Sequence, residues 1–159
     1  MRSLLVLLLM FAIPAAGVYA QDQPKVANPG GVKFAEFPNS PKCVRGAVLN
    51  GDPAKGASVM MLKFAPGCSV PLHWHTPNEQ VMLASGTGKL TPHPGKPTII
   101  RAGGYAYMPS KHHHSFSCAA GCTMFLTSDG VFDLHYVDES GKEIPPEQAL
   151  KSSKKSAKK

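Results

Sequence analysis

The chain has 159 residues, 43% of them hydrophobic and 17% charged, with 15 Gly and 15 Pro. That composition describes one compact domain of short strands and turns, and it excludes a disordered chain, a helical bundle and two full-sized domains. The formal net charge of +7 sits at the ends, because Arg2, Lys151, Lys154, Lys155, Lys158 and Lys159 all lie outside residues 21–150. Within 21–150, 11 basic residues meet 10 acidic ones and leave +1, so nucleic acid is excluded as a partner.

Taken in chain order, Arg2 precedes an apolar run over 4–13, and Pro14 and small residues then lead to Val18-Tyr19-Ala20. This reads as a secretory signal peptide over 1–20, with Gln21 as the first mature residue. The run is short for a permanent span, and no cysteine lies near the cleavage site to carry a lipid anchor. The expectation is a periplasmic or secreted protein with no integral membrane segment after signal removal.

Strand-like runs follow at 32–37, 44–49, 58–64, 70–75, 79–84, 89–91, 98–101, 105–108, 114–117, 123–127 and 131–137, divided by turn residues such as Asn50-Gly51-Asp52-Pro53. No amphipathic helix stands out, so the strands must bury their apolar faces in two packed sheets or a barrel, as a single all-β domain over 21–150. From Ile144 the chain is expected to be peripheral. Residues 151–159 are expected to form a Lys-rich disordered tail able to touch anionic envelope surfaces.

Export makes Cys43, Cys68, Cys118 and Cys122 candidates for disulfides, with three possible pairings. Cys118 and Cys122 flank a short Gly-containing loop that places two sulfurs across a hairpin, and Cys43 with Cys68 follows as the second pair. Four buried free thiols are the alternative.

The chemistry lies in the segment from Gly67 to Glu79. On a strand, His73 and His75 point to one side and Trp74 to the other, so two imidazoles can share one ion. A turn at Thr76-Pro77-Asn78 would return Glu79 beside them. A further ligand is expected from the His112-His113-His114 run, whose own bland reading is a solvent-facing loop.

Two motifs here resemble the cupin superfamily of small β-barrels. Gly67, His73, His75, Glu79 and Gly86 fit the first motif at every defined position, and Gly103, Pro109 and His114 fit the second, which departs at Lys111 and Cys118. The motif core runs over 67–118. The resemblance implies a double-stranded β-helix, a jelly-roll barrel, holding one divalent transition metal (Fe, Mn, Ni or Zn) on His73, His75, Glu79 and His114. Lys111 stands where the motif has glycine, so the turn before His114 could be altered and His112 could take its place. The resemblance also implies a homodimer.

Four protein ligands leave about two positions of an octahedron for water, dioxygen or substrate. The leading expectation is an exported enzyme acting on a small oxygen-bearing molecule, by dioxygenase-like oxidation or metal-assisted isomerisation. The alternative is a non-catalytic metal or small-ligand binding module of the envelope, and a third reading is adhesion through the lysine tail. Tyr107 and His135 are weaker catalytic candidates: Tyr105 and Tyr107 share a face that could line the cavity, and His135 could be a supporting acid or base. For these residues packing or a structural hydrogen bond is the ordinary role.

Overall fold

A computed structural model describes residues 24–156. The leader expected over 1–20 and the last three residues therefore lie outside the described residues. Among the described residues nine strands follow in order: β1 (Val44–Gly51), β2 (Ser58–Phe64), β3 (Cys68–Trp74), β4 (Glu79–Pro92), β5 (Thr98–Arg101), β6 (Tyr105–Met108), β7 (His114–Cys118), β8 (Cys122–Ser128) and β9 (His135–Tyr136); one helix, α1 (Pro146–Ser156), comes after them. All pairings are antiparallel, in the order β1-β2-β8-β4-β7-β3-β9, with β5 and β6 also on β4.

The long strand β4 belongs to both walls. Its first half, from Glu79, pairs with β8 and β6, and its second half, to Pro92, pairs with β7 and β5. Between the halves Gly86 adopts a φ of 78°, where an added Cβ would come within 2.5 Å of the Gly121 carbonyl oxygen. Only glycine tolerates both demands, which is the physical reason for the motif residue at this point. The sheet thereby curls on itself into the expected jelly-roll barrel.

Alternation fills the interior. Met60, Leu62 and Phe64 of β2, Val81 and Leu83 of β4, and Met124 and Leu126 of β8 are all buried. Cys43 is bonded to Cys68 and Cys118 to Cys122, with Cα separations of 5.7 and 5.8 Å. Cys68 and Cys118 are register partners on β3 and β7, so the two cystines adjoin at the end of β3 opposite His73.

The structure corrects several expectations. Residues 32–37 form no strand, because only Ala35 bridges to Gly46. Residues 79–84 and 89–91 are one strand, and the run over 131–137 shortens to β9, since the backbone before it is used elsewhere. Helix α1 reaches from Pro146 to Ser156, taking in the first six residues of the expected disordered tail. Proline is suited to a first helical turn, Glu147 favours the helix N-terminus, and Ala149 is buried against the barrel. Among the described residues no helix is long and apolar enough to cross a membrane.

Candidate metal centre

Strand β3 carries a proline, which cannot donate to the ladder, and its register with β7 slips between Val70 and His73. The slip frees the Pro71 carbonyl to accept a hydrogen bond from His73 Nδ1 at 2.6 Å. His75 Nδ1 donates to the Asp133 carbonyl at 2.5 Å, and His114 Nδ1 donates to the His112 carbonyl at 2.9 Å. A carbonyl only accepts, so each Nδ1 carries the proton and each neutral ring turns a bare Nε2 inward.

The three rings converge. Their centroids lie 4.3 Å apart for His73 and His114, 4.9 Å for His73 and His75, and 5.5 Å for His75 and His114. One ligand nitrogen from each falls within 4.8 Å of the others. Glu79 shares the inward face of β4 with Val81, and its Oε2 lies 3.3 Å from His114 Nε2 and 3.6 Å from His75 Nε2. All four residues are buried, and His75 Nε2 and Glu79 Oε2 have no hydrogen-bond partner.

Buried polar atoms without partners are costly, and here lone pairs face lone pairs. A cation between them removes the conflict, so the donor set fits a divalent ion of the first transition row. Burial also pushes His73 well below the ordinary imidazole value, and His75 moves the same way for the same leading reason. Burial would raise Glu79, but whenever His75 or His114 takes up a second proton its charge and contact outweigh burial and hold the carboxyl low.

These directions share one sign. With folded values depressed, the unfolded chain binds more protons, so the metal-free protein loses stability as pH falls below 6.5 and loses more as Glu79 titrates below 4.5. The slope is at most about 1.4 kcal/mol per pH unit for each group. Urea titrations of metal-free protein should give a lower midpoint at pH 5 than at pH 7. An unchanged or higher midpoint would mean that these imidazoles are not buried neutral.

The His112-His113-His114 run resolves clearly: His114 joins the cluster, while His112 contributes its carbonyl. Lys111 adopts a φ of 60°, the left-handed conformation that the missing glycine would have supplied, and the turn survives with His112 N–H donating to Pro109 O at 3.0 Å. The left-handed backbone costs a side-chain-bearing residue roughly 1–2 kcal/mol, partly offset by the greater freedom of an unfolded glycine. Lys111→Gly is therefore expected to stabilise the protein by up to about 1 kcal/mol in urea unfolding. A loss of stability would assign Lys111 a contact that outweighs its strain.

Two candidates are placed elsewhere. On β6 the inward positions are Ala106 and Met108, and Met108 opposes Glu79 in register; Tyr105 and Tyr107 consequently face outward, 57% and 52% exposed. Tyr107 donates from its hydroxyl to Asn78 Oδ1 at 3.1 Å and does not line the cavity. His135 pairs with Trp74, and the rings stack 3.9 Å apart on the face away from His73. It reaches only the cavity rim, held by Asp133 at 3.1 Å and Glu143 at 3.5 Å.

Sequence reasoning missed the strap over 129–134. Asp129 accepts from the backbone and side chain of Asn78 at 2.9 and 2.6 Å, and Asp133 Oδ1 accepts from Thr76 N–H at 2.7 Å. Phe132 stacks on His75 with centroids 4.7 Å apart. The strap thus orients one imidazole and covers it. Its sequence signal was slight, two aspartates around Phe132, because the decisive group is a backbone carbonyl.

The cluster opens into a cavity of about 480 Å³, walled by apolar side chains of the barrel. Comparison with known proteins agrees with this architecture. A family model described as a cupin domain matches residues 60–128. No curated protein matches the chain. Among solved structures it is similar to a candidate acetylacetone dioxygenase from Methylibium petroleiphilum PM1, with a TM-score of 0.60 and 19% identity over 80% of this chain and 90% of that one. It is also similar to an RmlC-like cupin from Ralstonia eutropha JMP134, with a TM-score of 0.59 and 19% identity over 82% and 85%. A third is the DMSP lyase DddQ from Ruegeria pomeroyi DSS-3, with a TM-score of 0.55 and 13% identity over 64% and 57%. At these identities the likeness shows the fold.

Proposed function

We propose, from the premise that this chain belongs to the cupin superfamily, that His73, His75, Glu79 and His114 hold one divalent transition ion in an exported protein acting on a small oxygen-bearing molecule. The observation that carries this reading is the buried donor set, with its unpartnered Nε2 and Oε2 atoms, opening directly into a ligand-sized cavity. The reaction class is dioxygenase-like oxidation or metal-assisted isomerisation. Export, to the periplasm or beyond, is supported by two cystines, which persist in oxidising compartments.

When bound, Fe supplies electron transfer to dioxygen, and Mn, Ni or Zn supplies Lewis acidity. The chain's own residues do the rest. Three backbone carbonyls fix the imidazole tautomers, Glu79 contributes a negative charge, Phe132 shields His75 from water, and apolar walls lower the dielectric around any ligand.

A second reading, a non-catalytic metal or small-ligand binding module, is favoured by one specific observation. Among the described residues, the only titratable side chains lining the cavity apart from the four donors are Asp133 and His135 at its rim. Elemental analysis of protein purified without a His tag, beside a His73→Ala/His75→Ala variant, tests the common premise: one metal per chain, lost in the variant, supports it, and equal metal in both rejects it. Dioxygen uptake and turnover of enols, diols and hydroxyketones by metal-loaded protein then separate enzyme from binding module.

A further inference from the structure

The walls of the cavity restrict what can occupy it. Met60, Leu62, Phe64, Phe116, Met124 and Leu126 supply much of its lining, and among the described residues no Lys or Arg lines it. Phe64 and Phe116 meet edge to face, 5.4 Å between centroids, forming an aromatic wall. At the rim the one carboxylate is Asp133, which would repel an anionic group entering there. Among the described residues, Asn39 and Ser40 add the only uncharged polar side chains.

Charge counting carries the argument further. A divalent ion on three neutral imidazoles and the Glu79 carboxylate leaves one net positive charge at the inner site. A ligand carrying a single negative charge on its chelating oxygens neutralises it. A second anionic group would lie against apolar walls, where the one further imidazole of the described lining, His135, is already held between Asp133 and Glu143 and leaves it no free partner, at the cost of its hydration.

We infer that the ligand is a small molecule, uncharged in solution, that chelates through two oxygens after losing one proton and buries an aromatic or branched-aliphatic body against the barrel walls. Enolisable 1,3-dicarbonyls, catechols and hydroxyketones belong to this class, whereas dicarboxylates, sugar acids and phosphorylated sugars do not. The proton passes to solvent on binding and no other bond changes. This inference rests on the metal reading above and deepens it by naming the substrate class.

The test uses full mature protein loaded with Co(II), whose visible spectrum reports its ligands, and two probes of matched shape: benzohydroxamic acid and its 4-carboxy analogue. The neutral probe is expected to perturb the Co(II) bands and to bind at least ~30-fold more tightly than the carboxylated one, as expected for an unpaired charge in apolar surroundings. Equal affinities, or tighter binding of the carboxylated probe, overturn the inference and leave the metal site standing. Failure to take up Co(II), seen as the absence of any protein-dependent band, overturns the metal reading and this inference with it.

Discussion

A His114→Ala variant is expected to retain less than about a tenth of the metal held by the wild-type protein, while His112→Ala retains it, since even partners behind a ligand are worth 10–100-fold in affinity. His114 presents a bare Nε2 because its Nδ1 is committed to the His112 carbonyl, and it stands 3.3 Å from Glu79. Removing the ring strips one nitrogen from the cluster and leaves the buried carboxylate beside a void. Replacing His112 removes a ring that takes no part, and alanine keeps the carbonyl that does. Metal content after dialysis against a weak chelator decides the matter. Equal loss in the two variants, or greater loss for His112→Ala, would move the fourth ligand from β7 to the turn before it.

The second large effect concerns the cystines. Cys43 and Cys68 close a separation of 25 residues and Cys118 and Cys122 one of four, so loop entropy assigns the first bond about 3–4 kcal/mol and the second about 2 kcal/mol. Cys43→Ala/Cys68→Ala is expected to lower the melting temperature by about 10–15 °C, and Cys118→Ala/Cys122→Ala by roughly half as much. Both bonds lie at the far end of β3 from His73, roughly 17 Å away at the rise of a strand. Both variants, once folded, should therefore keep one metal per chain. Calorimetry together with elemental analysis checks this; a larger cost for the short loop, or metal loss in either variant, would contradict it.

Much of this was legible because period-2 patterns carry real information. Strands β2, β5 and β6 match their sequence boundaries, and His73 and His75 share a face as alternation requires. Alternation, however, says which residues share a face and not which face is inside: Tyr105 and Tyr107 obey the same rule and point outward, because Met108 is the residue that opposes Glu79. Gly86-Thr87-Gly88 looks like a turn, yet β4 passes through it as a bend shared by both walls. Helix α1 was missed because its lysines suggested a solvated tail, while its buried contact rests on a few residues near Ala149. The turn at Lys111 shows the opposite case, where an altered motif keeps its geometry at a local cost.

The strap has a temporal consequence. The carbonyl that orients His75 belongs to Asp133, 58 residues further along the chain, and His73 meets His114 only when β3 and β7 have paired. Long-range contacts of this kind form after local ones, because their loop-closure cost must be met first. The donor set therefore cannot assemble from local contacts and depends on strands and a strap that are distant in the chain. On the metal reading proposed above, an ion would require the closed barrel, because a chain that has not docked residues 129–134 offers it only a loose, misoriented pair of imidazoles.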